Sequence, residues 1–132
     1  MKFRSLQFTV LFGALALSAC VTPSPEEMRA VAQTLPGNHR AQIKAKLRTV
    51  LLDPYSIGDA EISEPTAIYA GMGNHLPGVC IRFNAKNQYG AYDGLKTYAV
   101  SFKNGQAFHA LPPMYRDCTK VTWRPFPEIM GR

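Results

Sequence analysis

The chain has 132 residues, with 15 Lys and Arg against 9 Asp and Glu and 46% hydrophobic residues. That is enough for one domain, and too apolar and too weakly charged for a disordered segment. It excludes a multidomain enzyme, a multi-span membrane protein and a long coiled coil, while the odd count of three cysteines needs an explanation.

Lys2 and Arg4 precede an uncharged, mostly apolar run from Phe8 to Ala19. A basic start, a short apolar stretch and small residues define a secretory signal. A transmembrane span needs about 20 apolar residues, and Thr22-Pro23-Ser24-Pro25 closes this run early. The run ends in Leu17-Ser18-Ala19-Cys20, which resembles the lipobox of bacterial lipoproteins at all four positions. The resemblance implies cleavage before Cys20, a diacylglyceryl thioether on its sulfur and an acylated amino group. Two or more acyl chains anchor stably where one binds marginally. By the enterobacterial sorting rule, Val21 in place of Asp implies the outer membrane, with the domain facing the periplasm. Removal of residues 1–19 leaves about 113 residues. Residues 20–37 then form a lipidated start and a short helix, and residues 38–132 a single domain.

Ser24-Pro25-Glu26-Glu27 has the composition of a capping box with proline at the first helical position. Met28, Val31, Ala32 and Leu35 follow as one apolar stripe, and Pro36-Gly37 ends it. A second helix is predicted from Asn38, its expected cap, to about Leu52. Its stripe is Ile43, Leu47, Val50 and Leu51. Arg40, Lys44, Lys46 and Arg48 rim that stripe, as side chains snorkelling over a core helix do. Asp53-Pro54 stops the helix.

From Ile57 onward the period becomes two. Val79, Ile81 and Phe83 alternate with Cys80, Arg82 and Asn84, and Tyr98, Val100 and Phe102 with Ala99, Ser101 and Lys103. Weaker strands are expected near Ile57–Ile62 and Thr66–Met72. Gly71 to Gly78 reads as a loop, with three glycines and Pro77. At Lys103-Asn104-Gly105-Gln106 a bulged three-residue turn is expected, pairing Val100 with Phe108 and keeping Phe108 on the apolar face. The last strand is expected over Asp117–Trp123. The fold class is α+β: N-terminal helical material on an antiparallel sheet of four or five strands, pinned by one disulfide.

Cys20 taken by lipid leaves Cys80 and Cys118, an even pair in an oxidising compartment, where a disulfide is the default. The competing chemistry is a cysteine nucleophile at Cys80 with His109 as base, as in small lipid-anchored cell-wall peptidases. Cys80 sits in a strand pattern and lacks the motif at a helix start that such enzymes use. His39, His75 and His109 have no zinc spacing, no acidic pair suits acid–base catalysis, and no glycine loop suits phosphate. No cofactor or metal is therefore expected, and an exported, anchored protein has no nucleic-acid partner.

The segment Asn84-Ala85-Lys86-Asn87-Gln88-Tyr89-Gly90-Ala91-Tyr92-Asp93-Gly94 is the most distinctive stretch of the mature chain. Hairpin loops usually have two to five residues, and Tyr beside Asn and Lys makes an amphipathic contact surface. Asn84, Lys86, Asn87, Tyr89, Gly90, Tyr92 and Asp93 are the candidate binding residues. The bland alternative is a twisted hairpin whose tyrosines pack on the sheet. With Leu52-Asp53-Pro54-Tyr55-Ser56 and Val79-Cys80, this stretch resembles a group of small proteobacterial lipoproteins over about Lys44 to Phe102. That resemblance implies an envelope lipoprotein and supplies no catalytic residue. The expected function is non-enzymatic: a tethered protein presenting a surface to an envelope protein or polymer. A periplasmic enzyme inhibitor resembling the lysozyme inhibitors is the alternative.

Overall fold

The computed structural model describes residues 22–131. Helix α1 (Pro25–Gln33) opens on the expected capping box: Glu27 N–H donates to Ser24 Oγ, and Ser24 N–H donates to Glu27 Oε2. Helix α2 (His39–Val50) follows. Asn38 makes no side-chain cap there; its Oδ1 accepts from Gln42 instead, at 2.8 Å. The helix stops at Val50, short of Leu52, where Leu51 turns extended. Ile43 and Leu47 are buried, whereas Val50 is exposed.

Six strands form one antiparallel sheet, one more than the upper expectation: β1 (Gly58–Ser63), β2 (Thr66–Gly71), β3 (Asn74–Asn84), β4 (Lys96–Lys103), β5 (Gln106–Leu111) and β6 (Trp123–Pro125). Their order is β5-β4-β3-β1-β6, with β2 also on β3. β1 and β2 follow one another along the same edge of β3, so β3 is the central strand. The α+β class and the Cys80–Cys118 disulfide are as expected.

One face of the sheet carries Ile62, Val79, Ile81, Phe83, Val100 and Phe102 and meets Ile43 and Leu47 of α2, with Phe126 and Ile129 closing one side. Each such side chain contributes about 1.5–3 kcal/mol on burial. Arg40 holds the C-terminal segment to α2, pairing with Glu128 at 2.7 and 2.8 Å and lying over the Phe126 ring. α1 lies against β2 and β3, with Ala32 buried and Leu35 packed on the core. The opposite face has a smaller cluster of Ile68, Cys80 and Ala99 with Cys118, Val121 and Trp123.

Three further expectations fail for identifiable reasons. Asn74–Gly78 is strand, not loop: Thr66 pairs with Gly78 and Ala67 with Pro77. Pro77 lies beyond the last β3–β4 pair, Gly78 with Ser101, where β3 has a neighbour on one side only and proline is tolerated. A Cβ on Gly78 would stand 2.2 Å from the Val100 carbonyl oxygen, so glycine is what lets β3 and β4 meet there.

The β4–β5 register is not the bulged three-residue turn expected, which would pair Val100 with Phe108. Asn104 and Gly105, both at positive φ, form a two-residue turn with Lys103 paired to Gln106 and Phe102 to Ala107. The pairing then slips, so that Ser101 meets His109 and Val100 meets Ala110. Phe108 is the extra residue, 39% exposed, its ring tilted against that of His109 instead of entering the core. A tertiary contact accompanies the slip: Gln42 of α2 accepts from Ala107 N–H at 2.7 Å and donates to the Gly105 carbonyl at 2.9 Å.

The final strand starts at Trp123; Asp117–Thr119 is turn, Lys120 a bend, and Val121 and Thr122 irregular. Cys80 is interior to the central strand, so Cys118 can reach it only from above the sheet face. The chain from Pro112 to Lys120 therefore crosses over that face in turns, closed by Asp117 N–H to Met114 O and Thr119 N–H to Arg116 O.

Candidate functional site

The long loop between β3 and β4 is a folded arm. Lys86 and Tyr92 pair as an isolated bridge, and Asn87 N–H donates to Ala91 O at 2.9 Å. Asn87 organises the tip: its Oδ1 accepts from Tyr89 N–H at 2.9 Å and Ala91 N–H at 3.2 Å. Asn turns of this kind mimic backbone turns, and Gly90 at φ 74° completes it. At the base, Asn84 Oδ1 accepts from Gly94 N–H, and Asp93 pairs with Lys96 at 2.8 Å. The Lys96 hydrogen bond holds the Asp93 carboxyl below its ordinary range, and the Asp93 bond raises Lys96.

Ser56 ties the arm to the body. It lies in a single 3-10 turn, Pro54–Ser56, directly after α2. Its hydroxyl accepts from Lys86 N–H and its carbonyl from the Tyr92 hydroxyl, both at 2.8 Å. The Lys86 ammonium lies 5.8 Å from the Tyr92 ring centre.

Between this arm and the end of α2 opens a cleft of about 430 Å3. Lys86, Asn87, Tyr89 and Asp93 line it, so four of the seven candidate binding residues converge there. Asn84, Gly90 and Tyr92 are not in its wall; they shape the arm that forms it. The opposing wall was not evident in the sequence: Val50, Leu51, Leu52 and Asp53, with Gln88 on the arm. Leu52 is 80% exposed and Tyr89 83%, two large side chains flanking the cleft without burial. In the sequence, Leu52 and Asp53 stand out only as part of the Leu52–Ser56 motif, with Leu52 outside the α2 stripe.

Cys80 is fully buried and bonded to Cys118, so it carries no thiol, and the His109 ring lies tilted against Phe108. Among the described residues no group of three His, Cys, Asp or Glu side chains could hold a metal, and no helix is long and apolar enough to cross a membrane. Cys20, the residue expected to carry lipid, lies outside the described residues.

A second cavity, of about 660 Å3, was not anticipated. Thr22, Pro23 and Met28 border it on one side, and Tyr69, His75, Tyr115 and Arg116 on the other. Tyr69 packs edge-on to both His75 and Tyr115. Asp117 accepts from Tyr69 N–H at 3.2 Å; burial raises its carboxyl above the ordinary range, against the opposing pull of that hydrogen bond and of His75.

Comparison with known proteins gives no match to a family model, a curated protein or a solved structure.

Proposed function

We propose that this is a non-enzymatic envelope protein, tethered through lipid on Cys20 to the outer membrane and facing the periplasm. In this reading the cleft between the end of α2 and the Asn84–Gly94 arm receives an envelope protein or polymer. The observation that carries the reading is the state of Tyr89. The arm beneath it is braced by Asn87, Asn84, Asp93 and the two Ser56 bonds, yet the Tyr89 ring is left exposed in the cleft wall opposite an equally bare Leu52. Ordering an arm costs entropy, and holding an amphipathic ring ready lowers the cost of binding.

The chemistry of the walls defines the partner class. Apolar Leu52, Val50 and Tyr89 alternate with Lys86, Asn87, Asp53 and Gln88. That mixture suits a ligand with apolar faces and polar edges, such as a glycan strand or an extended peptide, better than a purely anionic one.

The test is an affinity measurement on the lipidated protein with Tyr89→Ala and Leu52→Ser. Retention of the partner should fall at least about tenfold, as for a hot-spot residue, with the melting temperature unchanged. Unchanged retention, or a loss of stability that accounts for the effect, would remove the cleft from the proposal.

A further inference from the structure

The structure leaves a second exposed patch with no role in the cleft. Met72, at the β2–β3 turn, is 97% exposed, and Tyr115, on the crossing segment over the disulfide face, is 78% exposed. Both are bulky residues at positive φ, 51° and 52°, a conformation such side chains rarely adopt and that persists where the surroundings impose it. Tyr69 links them: its ring packs on Tyr115 at 4.7 Å, and its hydroxyl lies 3.5 Å from the nitrogen of Gly73, the residue after Met72. Met114 adds a third exposed apolar side chain, and Arg116 and Lys120 beside it are exposed cations. Asp117, on the same segment, accepts from Tyr69 N–H.

The start of the described chain reaches this patch. Thr22 borders the same cavity as Tyr115, Arg116 and Lys120. Only Val21 separates it from Cys20, and two extended residue steps span at most about 7 Å.

We propose that this face docks on the phospholipid surface that holds the tether, with Met72, Met114 and Tyr115 entering the interfacial layer and Arg116 and Lys120 meeting anionic headgroups. The inference rests on the reading of Cys20 as the lipidated residue. Tyrosine favours the membrane–water boundary, and each cation near an anionic surface adds to binding. Asn74 and Asn84 are the two ends of β3, about 33 Å apart at the rise of a strand. Docking at the Met72 turn therefore turns the Asn84–Gly94 arm and its cleft away from the lipid.

The full chain, extracted from membranes, is reconstituted into vesicles of phosphatidylethanolamine and phosphatidylglycerol. An environment-sensitive fluorophore is placed on Met72→Cys, or on Tyr89→Cys as the distal control. The label at position 72 should shift to the blue and be quenched by a bilayer-embedded quencher, and the label at 89 should emit as in water. Adding Arg116→Glu and Lys120→Glu should lower the docked population about tenfold, an effect lost in vesicles of phosphatidylcholine alone. A label at position 72 that emits as in water on all vesicles overturns the proposal. So does one that becomes dry only when envelope proteins are added, which would make the patch a protein contact. Intact mass of the same preparation reports acylation at Cys20 separately. An acylated chain with a wet position 72 sinks the docking and leaves the tether. A chain with no added mass and a dry position 72 leaves the docking and sinks the tether.

Discussion

The Tyr92 hydroxyl donates to the main-chain carbonyl of Ser56 at 2.8 Å, across 36 residues of sequence. This bond, with the Ser56 hydroxyl accepting from Lys86 N–H, makes one of the two loop tyrosines a brace and leaves Tyr89 free. The two should separate on substitution. Tyr92→Phe removes one hydrogen bond and should cost about 1 kcal/mol. Tyr89→Ala, at an exposed site, should stay within about 0.5 kcal/mol. Chemical denaturation of the two variants measures both; equal losses would mean that Tyr89 is also structural.

Gln42 bridges α2 to the β4–β5 hairpin by two bonds, to Ala107 N–H and Gly105 O. Gln42→Ala should destabilise the protein by about 1–2 kcal/mol, since it leaves a half-buried amide without its acceptor. Hydrogen exchange at Ala107 should accelerate by more than the global loss of stability explains. Unchanged protection there would mean that the bulge is intrinsic to the hairpin.

The Cys80–Cys118 bridge closes a loop with a sequence separation of 38 residues. The chain-entropy model assigns such a loop about 4 kcal/mol, a large fraction of the stability of a small domain. The Cys80→Ala, Cys118→Ala variant should lose a comparable amount, read from the urea midpoint at constant slope. A loss below about 1 kcal/mol would show that the crossing segment is held by packing of Val121 and Trp123 instead.

Burial raises the folded-state pKa of Asp117 above its ordinary value. The folded protein therefore favours the protonated carboxyl. Its contribution is complete below the ordinary aspartate range and is lost as pH rises through the folded value. Asp117→Asn, which keeps an oxygen for Tyr69 N–H, should melt higher than the parent at pH 7. The gap should close toward about pH 3, below the usual aspartate value. A gap independent of pH would trace the effect to packing. Glu128 runs the other way: its bond to Arg40 lowers its pKa, so that pair stabilises above the ordinary glutamate range and weakens as pH falls through the lowered value. Exposure of both partners keeps this small, about 0.5 kcal/mol.

The features legible in the sequence are those satisfied locally. The capping box needs only Ser24 and Glu27, and the strands around Val79–Phe83 and Tyr98–Phe102 announce themselves by alternation with a buried face. The disulfide was legible because the expectation of lipid on Cys20 left only two thiols to pair. What escaped was set by distant partners. The Phe108 bulge lies beside Ala107, whose N–H bonds to Gln42 more than sixty residues away. Pro77-Gly78 reads as a loop until Val100 is seen to need the missing Cβ. The cleft was half legible: the Asn84–Gly94 arm is unusual in composition, but its opposing wall, Val50–Asp53, looks like an ordinary helix end. The Tyr69–Tyr115 patch gave no signal, because its residues come from three separated segments that only the fold brings together.

The most direct test of the central claim is site-specific photocrosslinking in living cells, with a photoreactive residue replacing Tyr89 and, as a control, Lys103 at the hairpin turn. The account predicts a discrete adduct to an envelope protein or cell-wall polymer from position 89, absent from position 103 and abolished by Leu52→Asp at unchanged protein level. An empty lane at position 89, or an adduct that persists with Leu52→Asp, would contradict it.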